Sequence, residues 1–532
     1  MQTVGVKLGL SHRWRLVLWA STALALVSTP PAGASQTMQY WDGGNTTPNG
    51  VVDGGSGNWA NGSTNWTNAD GTMSQPWLGW TGVFQGAFGT ISVVGTQSFD
   101  TLRFLTDAYH INSGNLAFNP ASGSASTIFV DDGVTTMIDS TLVDGTATGF
   151  AKTGNGTLVL TAANTYTGDT ALLGGTLSVA SDDNLGIGGG LIFNGGILQV
   201  TGKTFTGTTR AITWGAAGGG FDIESVFNTF TVSQSLNGSG GLTKLGEGTL
   251  VLSGINGYSG GTVISRGLVS VTVTGALGSG PVQIGTNSAL DFETGTSAGS
   301  LHLTTAASPG IGVNGGNILF KDGSSADHAQ IVIGSGGGVG FHGNSTAAAA
   351  QFDNSGTVDF WHSSDAGQAT ILNHKDASSN FVDDSSAGHA QITNAAGGAV
   401  DFFDNSTAGN ATIINNGGYV VFRNTTSAGS SSIINNNGGR VLLRTDADAS
   451  GATITNNAGG IVDLSRVTSG IAIGALSGAG NVLMGSKTLT LGGLGGSERI
   501  DGILQDAGVA GGVGASLVKT GAGTLILAGA NS

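Results

Sequence analysis

Between residues 326 and 466 the sequence returns to one phrase every 19 to 21 residues. An apolar residue falls at Ile331, Phe352, Ile371, Ile392, Ile413, Ile433 and Ile454, and a second at Phe341, Phe360, Phe381, Phe402, Phe422, Leu443 and Leu464. Small-residue links beginning at Asp365, Ser386, Thr407 and Ser427 separate the units. A unit this short holds two strands and no helical crossover, which needs a dozen or more residues. The fold that satisfies it is all-β, a right-handed parallel β-helix (β-solenoid) of about 20–25 residues per coil. Each coil then stacks ~4.8 Å above the last, so equivalent residues form columns. About twenty coils make a rod of ~100 Å.

Two residues after the first apolar series stands an asparagine in six successive units: Asn354, Asn373, Asn394, Asn415, Asn435 and Asn456. Stacked amides can hydrogen-bond along the axis, as in other stacked-strand assemblies. Turn preference is the competing explanation. The constant offset from the apolar position favours a structural ladder.

A different repeat lies on either side. Lys152, Gly156, Leu158, Leu160 and Asn164 recur as Lys244, Gly248, Leu250, Leu252 and Asn256, then as Lys519, Gly523, Leu525, Leu527 and Asn531. Tyr166 and Gly168 correspond to Tyr258 and Gly260. Leucines two apart face one side of a strand, and the Asn-x-Tyr-x-Gly stretch supplies a turn.

Composition agrees. With 96 glycines in 532 residues the chain could be disordered, but regularly spaced Leu, Ile, Val and Phe can build a continuous core. A net charge of −15, with no basic cluster after residue 15, argues against nucleic acid as partner. Residues 1–34 read as a signal peptide: His12, Arg13 and Arg15 adjoin the apolar run Leu16 to Ser28, and small residues follow at Ala32 to Ala34. The run is too short to span a bilayer, which takes ~20 residues.

These motifs resemble the autotransporter-associated β-strand repeat of bacterial type V secretion, with Gly175, Thr176, Leu177 and Val179 as its second strand. The later copy, Gly267, Leu268, Val269 and Val271, lacks the threonine. The resemblance implies a secreted passenger carried to the cell surface by an outer-membrane β-barrel translocator, a partner not in this chain. No series of ~10-residue amphipathic strands follows, and the third motif stops at Ser532. The expectation is a passenger truncated before its barrel, or a split gene. The absence of cysteine suits passage through a pore.

Chemistry is hard to find. Gly257 to Gly261 satisfies G-x-S-x-G, but the serine position is Thr167 in the sister copy, and a strand follows where a nucleophile elbow needs a helix. Paired acids at Asp131–Asp132, Asp182–Asp183 and Asp383–Asp384 could serve a glycosidase only if two face one bond; neighbours in a strand face apart. His328, His342, His362, His374 and His389 show no metal spacing and read as turn residues. No catalytic residue, metal site or cofactor is assigned. Trp41, Trp59, Trp66, Trp77 and Trp80 are candidate glycan contacts, but the first coil of a solenoid needs a cap, and large aromatics serving as that cap is the preferred reading.

The expected organisation is signal peptide 1–34, a Trp-rich cap 35–85, repeat-bearing β-helix 86–325, ~20-residue coils 326–470 and further β-helix 471–532. The expected function is surface contact, as adhesin or scaffold, with a glycan, a protein or a sister copy. The alternative is a β-helix polysaccharide-degrading enzyme, a lyase or glycoside hydrolase.

Overall fold

The computed structural model describes residues 38–123 and 125–531, so the expected signal peptide lies outside the described residues. Among these the only helical element is one 3₁₀ turn, Asp182–Leu185. Everything else is short strand and turn, in coils of about 21 residues.

The backbone bonds run from coil to coil. One parallel ladder of 22 strands extends from Gly57–Trp59 to Ser516–Lys519. A second, of 14 strands, runs beside it from Thr229–Val232 to Leu504–Gln505. In the first coils a nine-stranded sheet, from Met38–Trp41 to Ile212–Trp214, precedes the long ladder in each coil, and a three-stranded sheet, from Thr96–Phe99 to Thr141–Val143, follows it. In the regular coils a third wall is built from single bridging residues: Ser325, Thr346, Asp365, Ser386, Thr407, Ser427 and Asp448. The 22-strand ladder passes residues 85, 325 and 470 without a break. Parallel stacking also begins ahead of residue 85, with Met38–Trp41 against Thr81–Phe84.

Alternation explains the core. In Thr357–Phe360 the residues Val358 and Phe360 point in while Thr357 and Asp359 point out, and each coil above repeats the phase. Phe292, Phe320, Phe341, Phe360, Phe381, Phe402 and Phe422 form one column, rings 4.7–4.8 Å apart and within 1–12° of parallel. Strand spacing imposes this face-to-face geometry, which free aromatic pairs avoid unless offset.

The corners explain the small-residue links. Gly367, Gly388, Gly409 and Gly429 all have φ of +55 to +59°, where a Cβ is strained. A Cβ on Gly367 would also stand 2.7 Å from the carbonyl oxygen of Ala348. A second left-handed corner uses Asp383, Asp404 and Asn424, residue types that tolerate it.

Candidate functional site

The tryptophans divide sharply. Trp41, Trp59 and Trp66 are completely buried, with Trp66 5.3 Å from Trp41, 5.1 Å from Trp59 and 4.4 Å from Trp77, ring centre to ring centre. Trp41 Nε1 donates to the Gly55 carbonyl at 2.8 Å, and Trp77 Nε1 to that of Ser98 at 2.7 Å. Trp66–Thr67 runs antiparallel to Met38–Trp41, occupying the free edge of the nine-stranded sheet. The buried rings close the end of the core and offer no face to a ligand. Trp80, 37% exposed, is the member of the five with an open ring.

The six asparagines share one register and all lie buried. Asn354 Nδ2 donates to Asn373 Oδ1 at 2.8 Å, and Asn373 to Asn394 at 2.9 Å. Asn415 donates to Asn435, and Asn435 to Asn456, both at 2.8 Å. Between Asn394 and Asn415 the chain of amides is interrupted, and Asn394 Nδ2 keeps its bond to the Tyr419 carbonyl at 2.8 Å. Each amide also ties down backbone at the adjacent corner, as Asn373 does with the Ala399 carbonyl at 3.0 Å.

Two buried lysines went unread in the sequence. Lys152 Nζ donates to the carbonyls of Thr153, Gly154 and Gly174 at 3.0–3.1 Å. Lys244 Nζ reaches those of Leu245, Gly246 and Arg266 at 2.6–3.2 Å. Burial pulls both ammonium groups down to about 8. The signal was available: Lys152 shares the inward phase of Phe150, and Lys244 that of Leu242. The repeat asparagines clamp three coils. Asn164 Oδ1 accepts from Leu142 N at 2.7 Å below, while its Nδ2 donates to the Asn184 carbonyl at 2.6 Å above. Asn256 does the same between Leu236 and Ala276. Tyr166 and Tyr258 each close a buried hydroxyl pair with Thr170 and Thr262.

The remaining candidates are scattered. Ser259 is exposed on a turn. Asp182 holds Arg210 in a bidentate pair at 3.0 Å, locking the loop after the 3₁₀ turn. His374 pairs with Asp353 on the surface. No group of three or more metal-ligating side chains forms among the described residues.

Comparison with known proteins follows this geometry. The model of the passenger-associated transport repeat matches residues 150–179, 242–271 and 517–532, the segments that carry the lysine and the clamping asparagine. The chain carries passenger-associated transport repeats. An adhesin of Brucella suis biovar 1 (strain 1330), the BmaC autotransporter, is 35% identical over 313 residues, 54% of this chain. The chain spans 9% of that protein's length. The crystal structure of the Haemophilus influenzae Hap adhesin aligns with 86% of this chain and 60% of its own, at 13% identity and a TM-score of 0.34.

Proposed function

We propose that the chain is a stretch of an exported surface passenger that acts by contact, as an adhesin or as the rod that presents one. The observation that carries this is the continuity of the 22-strand ladder. The side chains that a catalyst would need are instead engaged in holding coil to coil or scattered over turns. The match to a protein named an adhesin supports the same reading. Its export partner would be an outer-membrane β-barrel translocator, in keeping with the transport repeats. Long regular faces allow many weak contacts, whose sum can hold a cell by avidity.

The test is display of the chain on a non-adherent bacterium, scoring cell aggregation and binding to glycan and matrix surfaces. A parallel screen assays the purified chain for glycosidase, lyase and protease turnover. Gain of adhesion without turnover is expected. Turnover abolished by changing a single Asp or Ser would replace this reading with the polysaccharide-degrading enzyme.

A further inference from the structure

Four of the chain's ten arginines lie within residues 423–466, on one face of three consecutive coils, in a molecule of net charge −15. Arg423 directly follows the column phenylalanine Phe422, and Arg444 follows its partner Leu443 one coil above. Arg466 joins them through an irregularity. Leu442 pairs with Asp463, but Arg444 pairs with Arg466, a register shift that inserts one extra residue. Without that bulge, Ser465 would stand beside Arg444. The distortion therefore adds a like charge to the column. Bulges of this kind re-aim side chains and recur beside functional sites.

The protein does not neutralise the column. Among the described residues, only Arg423 of the four arginines has an ion pair, to Asp401 at 2.9 Å. Asp463, the other acid acting on Arg444, lies on the outward phase between Val462 and Leu464 but is engaged by other partners. Its Oδ1 accepts from the Ser465 backbone and hydroxyl at 2.9 and 2.7 Å, and its Oδ2 from Val509 N at 3.1 Å. Burial and the neighbouring Arg423 and Arg466 together press the Arg444 guanidinium below its usual range. Uncompensated like charges one coil apart destabilise the isolated rod. Below the arginines the same column carries Phe403, over which Arg423 stacks at 5.1 Å, and Trp361, 38% exposed. Tyr419, also exposed, flanks Arg440 in the next column.

We propose that this column binds a linear acidic polysaccharide lying along the rod axis, its carboxylate or sulfate groups on Arg423, Arg444 and Arg466 and its sugar rings over Phe403 and Trp361. This deepens the surface-contact reading above and rests on it. Guanidinium matches planar and tetrahedral oxyanions through paired N–H donors. The column's step is the coil spacing, seen in the 4.7–4.8 Å ring stack. A polymer of six-membered sugar rings advances by a comparable distance per ring. Same-side acidic groups on alternate rings of such a polymer then recur after about two coil steps, whereas those of an extended peptide fall about 6.6 Å apart, which matches no whole number of steps.

The experiment measures binding of the purified chain to immobilised heparin, polygalacturonate, dextran and polyglutamate, at ionic strengths from about 0.01 to 0.15 M. Binding to heparin or polygalacturonate that weakens with salt is expected, with none to dextran. Response to heparin alone assigns sulfate; response to both assigns carboxylate as well. The double variant R444Q/R466Q should lose at least tenfold in affinity, R466Q alone a smaller part, and the distant R266Q nothing. Thermal unfolding of R444Q/R466Q should be unchanged or higher, which separates lost binding from lost fold. Equal affinity of R444Q/R466Q and wild type, failure to bind either acidic polysaccharide, or preference for polyglutamate would overturn the proposal. Displayed cells distinguish the two readings. Adhesion retained by R444Q/R466Q would leave the surface reading standing without this ligand. Polysaccharide binding without any adhesion would count against the surface reading alone.

Discussion

The interrupted amide ladder makes a quantitative prediction. Asn373 takes part in four buried hydrogen bonds: donors to Asn394 Oδ1 and the Ala399 carbonyl, acceptors from Asn354 Nδ2 and Ser379 Oγ. Replacing it by Ala strands several of these partners. At ~1 kcal/mol net per bond, and more where a partner stays buried and unpaired, Asn373→Ala should cost about 4 kcal/mol. Asn394 has two such bonds, from Asn373 and to Tyr419, so Asn394→Ala should cost about 2 kcal/mol. Double-mutant cycles sharpen the test. Asn373→Ala with Asn394→Ala should show a coupling of about 1 kcal/mol, and Asn394→Ala with Asn415→Ala one near zero, although both pairs are adjacent in register. A long solenoid need not unfold as one unit. The assay is therefore hydrogen exchange of the strand amides Thr370–Asn373 and Thr412–Asn415, which reports local opening. Equal coupling across both steps, or a cost below ~0.5 kcal/mol for Asn373→Ala, would show that the column reflects corner preference rather than an energetic ladder.

Phe381 sits between Phe360 at 4.7 Å and Phe402 at 4.8 Å, so Phe381→Ala should cost about 4 kcal/mol and Phe381→Leu under about 1.5, measured by urea unfolding. Trp66→Ala should cost about 3–5 kcal/mol and expose the strands Thr81–Phe84 and Thr101–Phe104 to exchange before Thr488–Leu491, because the closed end of the core is opened. Lys152 and Lys244 are drawn down to about 8 from 10.5, so the unfolded chain binds more protons between those values and stability rises with pH there. Each lysine should contribute about 2 kcal/mol between pH 8 and 10. Thermal melts of wild type against K152M/K244M should show that rise only in wild type; parallel pH profiles would refute it. Above pH 10 the buried Tyr166 and Tyr258, raised by desolvation, reverse the trend in both proteins.

Much of this architecture is a property of the sequence alone. A two-strand unit recurring every 19 to 21 residues admits few folds other than a stack of coils. Once coils stack, columns such as Phe360–Phe381–Phe402 and Asn354–Asn373 follow from spacing, because equivalent positions must superpose. The glycine after each small-residue link is likewise legible as a left-handed corner. What one dimension could not decide is which polar groups turn inward and whom they meet. A tryptophan-rich stretch reads the same whether its rings face sugar or each other; only the antiparallel return of Trp66–Thr67 onto Met38–Trp41 buries them. The interior lysines depend on carbonyls from the next coil, Gly174 and Arg266, about 22 residues away. Asn394 and Asn415, adjacent in perfect register, are not bonded to each other, although Asn394 keeps the corner bond to Tyr419 that Asn373 makes to Ala399. The arginine column gains its third member, Arg466, only through a one-residue bulge that the repeat does not announce. Spacing sets the period of a solenoid, but the partners of a buried or clustered charge lie a whole coil away and are chosen by register.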